Sequence, residues 1–398
     1  MVPVTRGILL MILTAALAVG VVPRQAEAVE QVRFATFNAS LNRGAAGELL
    51  ADLATPDDPQ ARKAAEVIQR NRPDVLLINE FDYVADNAAA DAFRANYLEI
   101  GQQGAAPIDY PYAYTAPVNT GVPTGFDLDR NGTVGGGNDA HGFGLFEGQY
   151  GMLVLSRYPI ETDRIRTFQH FLWKDLPGAL LPDDPATSTP GDWYSAAALD
   201  VLRLSSKSHW DVPIRIGRRP VHFLVAHPTP PTFDGPEDRN GRRNHDEIKF
   251  WADYVSSPRT SRYIYDDAGQ RGGLRPGSRF VIAGDYNADP LDGDSVAGAI
   301  TLLLDHPKIT DSRPTSAGAV IAAEQQGGAN ATHRGDPALD TADFSDTAPG
   351  NLRVDHVLPS RGLLVRDSGV FWPTPDSPLA RLNDTSDHHL VHVDLLVP

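Results

Sequence analysis

The chain has 398 residues, no cysteine and a formal net charge of −16. Without thiols it has no disulfide, no thiolate-held zinc and no cysteine nucleophile. So acidic a protein lacks the basic face that a broad electrostatic grip on nucleic acid depends on, although a local cationic site stays compatible with it.

Arg6, the apolar run Ile8 to Val22 and the small-x-small site Ala26-Glu27-Ala28 read as a secretion signal over residues 1–28. Cleavage near Ala28 would start the mature chain at Val29 and export it to the periplasm or beyond. The apolar run is short for a bilayer span, and no later stretch looks transmembrane, so stable membrane insertion is not expected. No repeat or Ser/Gly linker divides the rest. Residues 29–398 are read as one α/β domain with long loop insertions at about 105–150, 173–215 and 306–350.

Val32 to Phe37 alternates and ends at Asn38, which either delivers an amide to a sheet edge or closes a turn. Asp57 to Asn71 has helical composition, with Ala64, Ala65, Val67 and Ile68 for an inner face, and Arg72-Pro73 stops it. Val75 to Ile78 is a buried strand ending at Asn79-Glu80. A carboxylate so close to four apolar residues is salt-bridged, at a wet strand end or bound to something, because an unpaired buried charge is costly.

The long Gly-rich stretch 105–150 contains Asp127-Leu128-Asp129-Arg130-Asn131-Gly132. Asp127, Asp129 and Asn131 followed by glycine match the front of a calcium loop. The twelfth position is Asn138 and the flanks are not helical, so this is no EF-hand. It is either a Ca2+-stabilised loop or an acidic turn.

Gly151 to Ser156 is another buried strand. Trp173 to Ala196 is Pro/Asp-rich and reads as an excursion. Val221 to Ala226 is a strand ending at His227, a position open to a structural or a catalytic role. Asn244-His245-Asp246-Glu247 reads as a capping box opening a helix whose Ile248, Trp251, Ala252 and Val255 share a face.

Phe280 to Ala283 is a buried strand that stops at Gly284, and Asp285 and Asn287 follow at a spacing of two. If the extended backbone persists, both side chains leave the same face. The alternative is an Asx turn closing the strand. Val296 to Asp305 is helix-like. Leu352 to Leu358 reads as a strand with Asp355 mid-run. Ser386-Asp387-His388-His389 precedes a last strand, Leu390 to Val397.

Polar residues thus recur at strand ends, where sites assemble in layered α/β folds. The order and local wording of these ends resemble the endonuclease/exonuclease/phosphatase superfamily, the fold of pancreatic-type deoxyribonuclease, from Val32 to the C-terminus. The anchors are Phe34 to Asn38, Leu77 to Glu80, Ser156 to Ile160, Val225 to His227, Gly284 to Asn287, Val354 to Leu358 and Ser386 to His389.

The resemblance implies a four-layered α/β sandwich of two mixed β-sheets. It implies Glu80 as the principal metal carboxylate, with Asn38 beside it and Asp387 as a further metal-site group. It implies that Asp285 orients or deprotonates the attacking water, with a metal contact also open to it, and that Asn287 donates to a phosphate oxygen. His388 would act on the phosphate, oriented by Asp355, and His227 would sit near the phosphate and the leaving oxygen. His356 receives no role.

An oxygen-rich shell suits Mg2+ or Mn2+. The expectation is a secreted, divalent-metal-dependent phosphoesterase acting on phosphate mono- or diesters by direct attack of activated water. The alternatives are an extracellular nuclease and, outside catalysis, a calcium-dependent binding protein.

Overall fold

Along β1 (Glu30–Asn38), Val32 and Phe34 turn one way and Ala35 and Phe37 the other, and all four are buried. A strand buried on both faces has to lie between two layers. A computed structural model describes residues 1–3 and 29–398 of the chain, and it supplies both layers. The expected signal peptide lies almost entirely outside the described residues. Among the described residues, no helix is long and apolar enough to cross a membrane.

The remaining strands are β2 (Val75–Asn79), β3 (Tyr112–Tyr114), β4 (Met152–Ser156), β5 (Arg166–Thr167), β6 (His209–Ile216), β7 (Arg219–Ala226) and β8 (Arg279–Asp285). They continue with β9 (Ala342–Asp343), β10 (Asn351–Leu352), β11 (Asp355–Pro359), β12 (Leu364–Val370) and β13 (Val391–Val397). One sheet runs β12-β13-β1-β2-β4-β3, the other β11-β8-β7-β6-β5, and β9 pairs with β10. Each large sheet is mixed: β1 and β2 are parallel in the first, β7 and β8 in the second, and the other pairs are antiparallel. Glu30 and Val397 stand opposite each other, so the first and last strands are central neighbours.

The helices are α1 (Glu48–Leu53), α2 (Pro59–Asn71), α3 (Ala88–Phe93), α4 (Ala196–Leu199), α5 (Arg239–Val255), α6 (Thr301–Leu304) and α7 (Ala317–Gln326). Asp58 caps α2 by accepting Ala61 N–H at 2.7 Å, with Pro59 at the first helical position. Arg72 ends it in a left-handed conformation before Pro73.

Strand parity sorts the core into layers. Val32, Phe34, Val75, Leu77, Met152 and Val154 meet Val212, Ile214, Val221, Phe223, Val225, Val281 and Ala283 between the sheets. Residues of opposite parity on the first sheet, such as Phe37, Leu76 and Leu155, pack on α1, α2 and α3. Those on the second, such as Leu224 and Ile282, pack on Ile248, Trp251 and Val255 of α5. The product is a four-layered α/β sandwich of two mixed sheets. Each side chain fully buried in it contributes roughly 1.5–3 kcal/mol.

Several local expectations change. Helix α5 starts at Arg239, so Asn244, Asp246 and Glu247 lie inside it and form no capping box. They bind other elements instead: Asn244 donates to the Thr229 and Tyr286 carbonyls, and Asp246 accepts from the Trp173 indole and Leu180 N–H. The stretch 173–215 is not all insertion, because β6 begins at His209 and runs inside the second sheet. The strand expected over Leu352 to Leu358 is two strands, and Asp355 opens the second.

Candidate active site

The parity that sorts the core also aims the polar strand ends. Asn38 and Asn79 share the parity of Phe34 and Leu77, and His227, Asp285 and Asp355 that of Val225, Ala283 and Val357, all residues that face the inter-sheet space. At one end of the sandwich the apolar filling therefore gives way to amides, carboxylates and imidazoles. Register completes the alignment: Asn38 pairs with Asn79, and Asp355 with Asp285.

Hydrogen bonds join the two sheets across this end. The Asn79 amide oxygen accepts the Asp285 backbone N–H at 3.2 Å and the Thr36 hydroxyl at 3.3 Å. The Asn38 amide donates to Asp285 Oδ2 at 3.1 Å. His227 Nε2 lies 3.3 Å and His388 Nε2 3.5 Å from the same oxygen. Gly284 lets this strand approach its neighbour, since a Cβ there would overlap the Ala226 carbonyl oxygen.

His388 Nδ1 is 2.8 Å from Asp355 Oδ2, which also accepts the Thr341 hydroxyl at 2.9 Å. The Thr341 oxygen in turn accepts the Val354 and Asp355 N–H groups. A bridge between Ala342 and His388 brings Thr341 to this position. Phe344, half-buried, sets its ring edge against His388 at 5.3 Å between centroids.

Protonation follows from this geometry. Burial works against the His388 cation, but Asp355 and Asp285 overcome it and hold the imidazolium well above its ordinary pKa. Burial likewise opposes the Asp285 anion, and His388, His227 and Asn38 outweigh it, so this carboxyl titrates well below its usual range. Asp355 is raised to about 6 by burial, despite His388. His227 is lowered to about 4 by burial and the nearby Lys207. It is therefore a neutral ring whose Nε2–H faces Asp285 and whose Nδ1 has no partner.

Glu80 follows β2 in a left-handed conformation, φ 58°. A non-glycine residue held there costs about 1–3 kcal/mol, and such strain gathers at functional sites. The side chain is half-buried and accepts the Asn42 amide at 2.9 Å. Burial raises its pKa, and the nearby His388 charge and the Asn38 amide oppose that rise without cancelling it. Glu80, Asn38, Asp285 and His388 thus share one electrostatic neighbourhood.

Two expected features take a different form. Asn287 does not continue the strand: its φ is 50°, and its N–H donates to Asp285 Oδ1 at 2.9 Å. The Asx turn is the observed geometry, and the same-face extended arrangement is not. The Asn287 amide still reaches the site, donating to the Pro228 carbonyl beside His227 at 3.1 Å. Asp387 is exposed on the rim, with the Ser386 and Ser40 hydroxyls at 3.3 and 3.4 Å from Oδ1.

The expected metal set Asn38, Glu80 and Asp387 is not the tightest acidic grouping. Asp285, Asp355 and His388 place ligand atoms within 4.8 Å of one another. Hydrogen bonds and ion pairs already account for that closeness. A second grouping lies in the Gly-rich loop: Asp127, Asp129 and Asp139. Asp139 stands one residue past the twelfth position of the expected loop. It accepts Leu128 N–H and Gly135 N–H, while the Asn131 amide donates to Asp129.

Sequence reasoning also missed Asn42, Thr341 and Lys207. Lys207 is 6% exposed and acts electrostatically on Glu80, Asp285 and His227. Its one signal in the sequence is a lone charge among serines in Ser205-Ser206-Lys207-Ser208.

Comparison with known proteins places these observations. A family model described as Endonuclease/Exonuclease/phosphatase family matches residues 35–388. No curated protein matches the chain. Similar solved structures include an endonuclease/exonuclease/phosphatase from Beutenbergia cavernae DSM 12333, at 17% identity and TM-score 0.49, covering 92% of this chain and 72% of that one. A family protein from Leptotrichia buccalis C-1013-b has 14% identity and TM-score 0.46, covering 92% and 99%. A 3'-5' exonuclease from Neisseria meningitidis has 15% identity and TM-score 0.44, also covering 92% and 99%.

Proposed function

The chain belongs to the endonuclease/exonuclease/phosphatase family, a family of phosphoesterases and nucleases, and on that premise we propose a divalent-metal-dependent phosphoesterase that hydrolyses phosphate mono- or diesters by direct attack of water. The observation that carries the reading is the chain Asp285–His388–Asp355 at the polar end of the inter-sheet space, beside Glu80 and Asn38.

The donors fit a hard cation. They are carboxylate and amide oxygens, Glu80 is a carboxylate whose pKa burial raises, and Asp355 Oδ1 is buried without a partner. Glu80 and Asn38 would hold the ion, with Asp387 as a further carboxylate at the rim. Bound Mg2+ or Mn2+ supplies Lewis-acid charge for the phosphoryl oxygens.

The chain's own groups do the rest. The His388 imidazolium, held by Asp355, presents Nε2–H to a non-bridging oxygen and offsets its growing charge. Asp285 orients the attacking water. Its depressed pKa makes it a weak proton acceptor, so positioning is its larger contribution. Asn287 adds an amide donor. The neutral His227, proposed near the leaving oxygen, can take the attacking water's proton at its bare Nδ1 and pass it on to that oxygen.

The protein is proposed to be exported after cleavage near Ala28, as one catalytic domain from residue 29. The substrate is a phosphate ester, and nucleic acid is one class to test. The Asp127, Asp129 and Asp139 grouping supports a structural Ca2+ in the Gly-rich loop. It is also the observation that favours a second reading, a calcium-dependent binding protein on the same fold.

Release of p-nitrophenol from mono- and diesters, and cleavage of DNA and RNA, would be measured with Mg2+, Mn2+ or Ca2+ against an EDTA control. Metal-dependent turnover on any of these is the expected result. No turnover with any metal would overturn the catalytic reading and leave the binding protein.

A further inference from the structure

Lys207 is a buried lysine that neither the family's strand-end pattern nor the roles above account for. It precedes β6. His209 pairs with Ala226, so by continuation of that register Lys207 stands level with Pro228, whose carbonyl takes the Asn287 amide. It therefore sits at the same sheet end as His227, Asp285 and Asn287.

The fold holds this position tightly. The Glu247 carboxylate accepts Ser206 N–H and Thr229 N–H, both at 2.6 Å, and so ties the segment entering Lys207 to the segment leaving His227. Asn119 N–H donates to the Lys207 carbonyl at 2.9 Å. The Gly142 backbone is packed on the Ser206 carbonyl so closely that a Cβ there would overlap it. Arg243 adds donors to the Leu204 and Arg203 carbonyls just upstream.

With its backbone so fixed, the side chain is nine-tenths buried, yet among the described residues its ammonium makes no hydrogen bond and no ion pair within 4.0 Å. Both Glu247 oxygens are already engaged by backbone N–H groups, so Lys207 is not there as that carboxylate's close partner. A cation with so little access to water and no close counterion is costly. An anion bound at this sheet end would supply the missing partner. Burial lowers the ammonium's pKa, while Glu247, Glu80 and Asp285 oppose that, which sets the group in the field of the site carboxylates.

We infer that the Lys207 ammonium contacts a non-bridging oxygen of the substrate phosphoryl group, as a fixed cation additional to the metal. The inference rests on the phosphoesterase reading for its substrate, but it makes a claim about phosphate binding that stands without turnover. A cation built into the chain persists when the metal is removed.

The test is calorimetric titration of inorganic phosphate into full-length protein, both EDTA-treated and Mg2+-loaded, for wild type, Lys207→Met and Lys207→Arg. Thermal melts confirm that each variant is folded. Lys207→Met removes the charge at nearly constant length, and Lys207→Arg keeps the charge, so one of the two remains informative if the other misfolds. Wild type is expected to bind phosphate in both states. Lys207→Met should bind at least about tenfold more weakly in both, as expected for loss of a charge-assisted contact, and Lys207→Arg should retain most of the affinity.

In parallel, Lys207→Met should lower kcat/KM on a p-nitrophenyl ester while Mn2+ affinity stays at the wild-type value. Phosphate affinity in Lys207→Met equal to wild type, or no phosphate binding by wild type in either state, overturns the inference. Phosphate binding that depends on Lys207 in a protein without turnover would uphold it and instead sink the phosphoesterase reading.

Discussion

Replacing Asp355 by Asn keeps the outline of the side chain and removes its charge. Oδ2 takes both His388 Nδ1 and the Thr341 hydroxyl, while Oδ1 has no partner. The new amide oxygen therefore occupies the Oδ2 position and the new nitrogen the unpartnered one. His388 keeps a hydrogen bond and loses its ion pair. A hydrogen bond to a charged group contributes about 1.5–3 kcal/mol, and the imidazolium loses the part of this that depends on the Asp355 charge.

The direction follows from the pair. Asp355 raises His388, so without its charge His388 loses its proton at lower pH, and the alkaline limb of the rate profile moves down. The rate at the optimum should fall by about 10²–10⁴, the span for a mispositioned acid–base group. Stability should change little, because burial already makes Asp355 a carboxylate that the fold charges reluctantly. The assay is the pH dependence of kcat on bis(p-nitrophenyl) phosphate, with a melting curve at each pH. An alkaline limb that stays in place, with a rate near wild type, would refute the dyad.

Glu80→Gln and His388→Ala should each remove most activity, by about 10²-fold or more, while circular dichroism remains that of wild type; near-normal rates in either variant would break the site assignment. Asp129→Ala should lower the melting temperature in Ca2+ more than it lowers the rate, and a melting temperature indifferent to Ca2+ in the wild type would remove the calcium loop. His209 is a buried neutral ring, with Nε2–H donating to the Glu247 carbonyl at 2.9 Å and Nδ1 accepting the Ser205 hydroxyl at 2.6 Å. Burial lowers its pKa to about 4. The unfolded chain protonates this ring below its ordinary value of about 6.5, so the stability it contributes is present above that pH. It is lost as pH falls through 4, a total of roughly 3 kcal/mol. Urea unfolding of His209→Gln should show a shallower pH slope in that window, by up to one proton, and an unchanged slope would count against the neutral buried ring.

What could be read in advance follows from where the information is local. Asn38, His227 and Asp285 were legible because each closes an apolar run, and strand parity then decides which face it joins. The turn at Asn287 was legible only as an alternative, because a spacing of two fits both an extended strand and an Asx turn, and the Asp285 side chain chooses by accepting the Asn287 N–H. The start of α5 was misread because Asn244 and Glu247 look like caps until Thr229 and Ser206 are seen to claim them. Strand β6 was hidden by Pro213 and the buried Asp211, which is held by His222 and the Tyr254 hydroxyl. Thr341 and Lys207 left almost no trace. Their positions depend on a bridge to His388 and on a clamp by Glu247, contacts between segments far apart in the chain.

The pairing of Glu30 with Val397 places the first of the described strands against the last of them, in the interior of the first sheet. Until Val391–Val397 has been synthesised, Glu30–Asn38 can bind Val75–Asn79 but keeps an open edge on its other side, with Asn38 already committed to the site. Folding of this sheet is therefore a late, long-range closure rather than a growth from one end. A nonsense codon even a few residues before Val391 would expose a flat apolar edge in the middle of the molecule and make the product prone to aggregate.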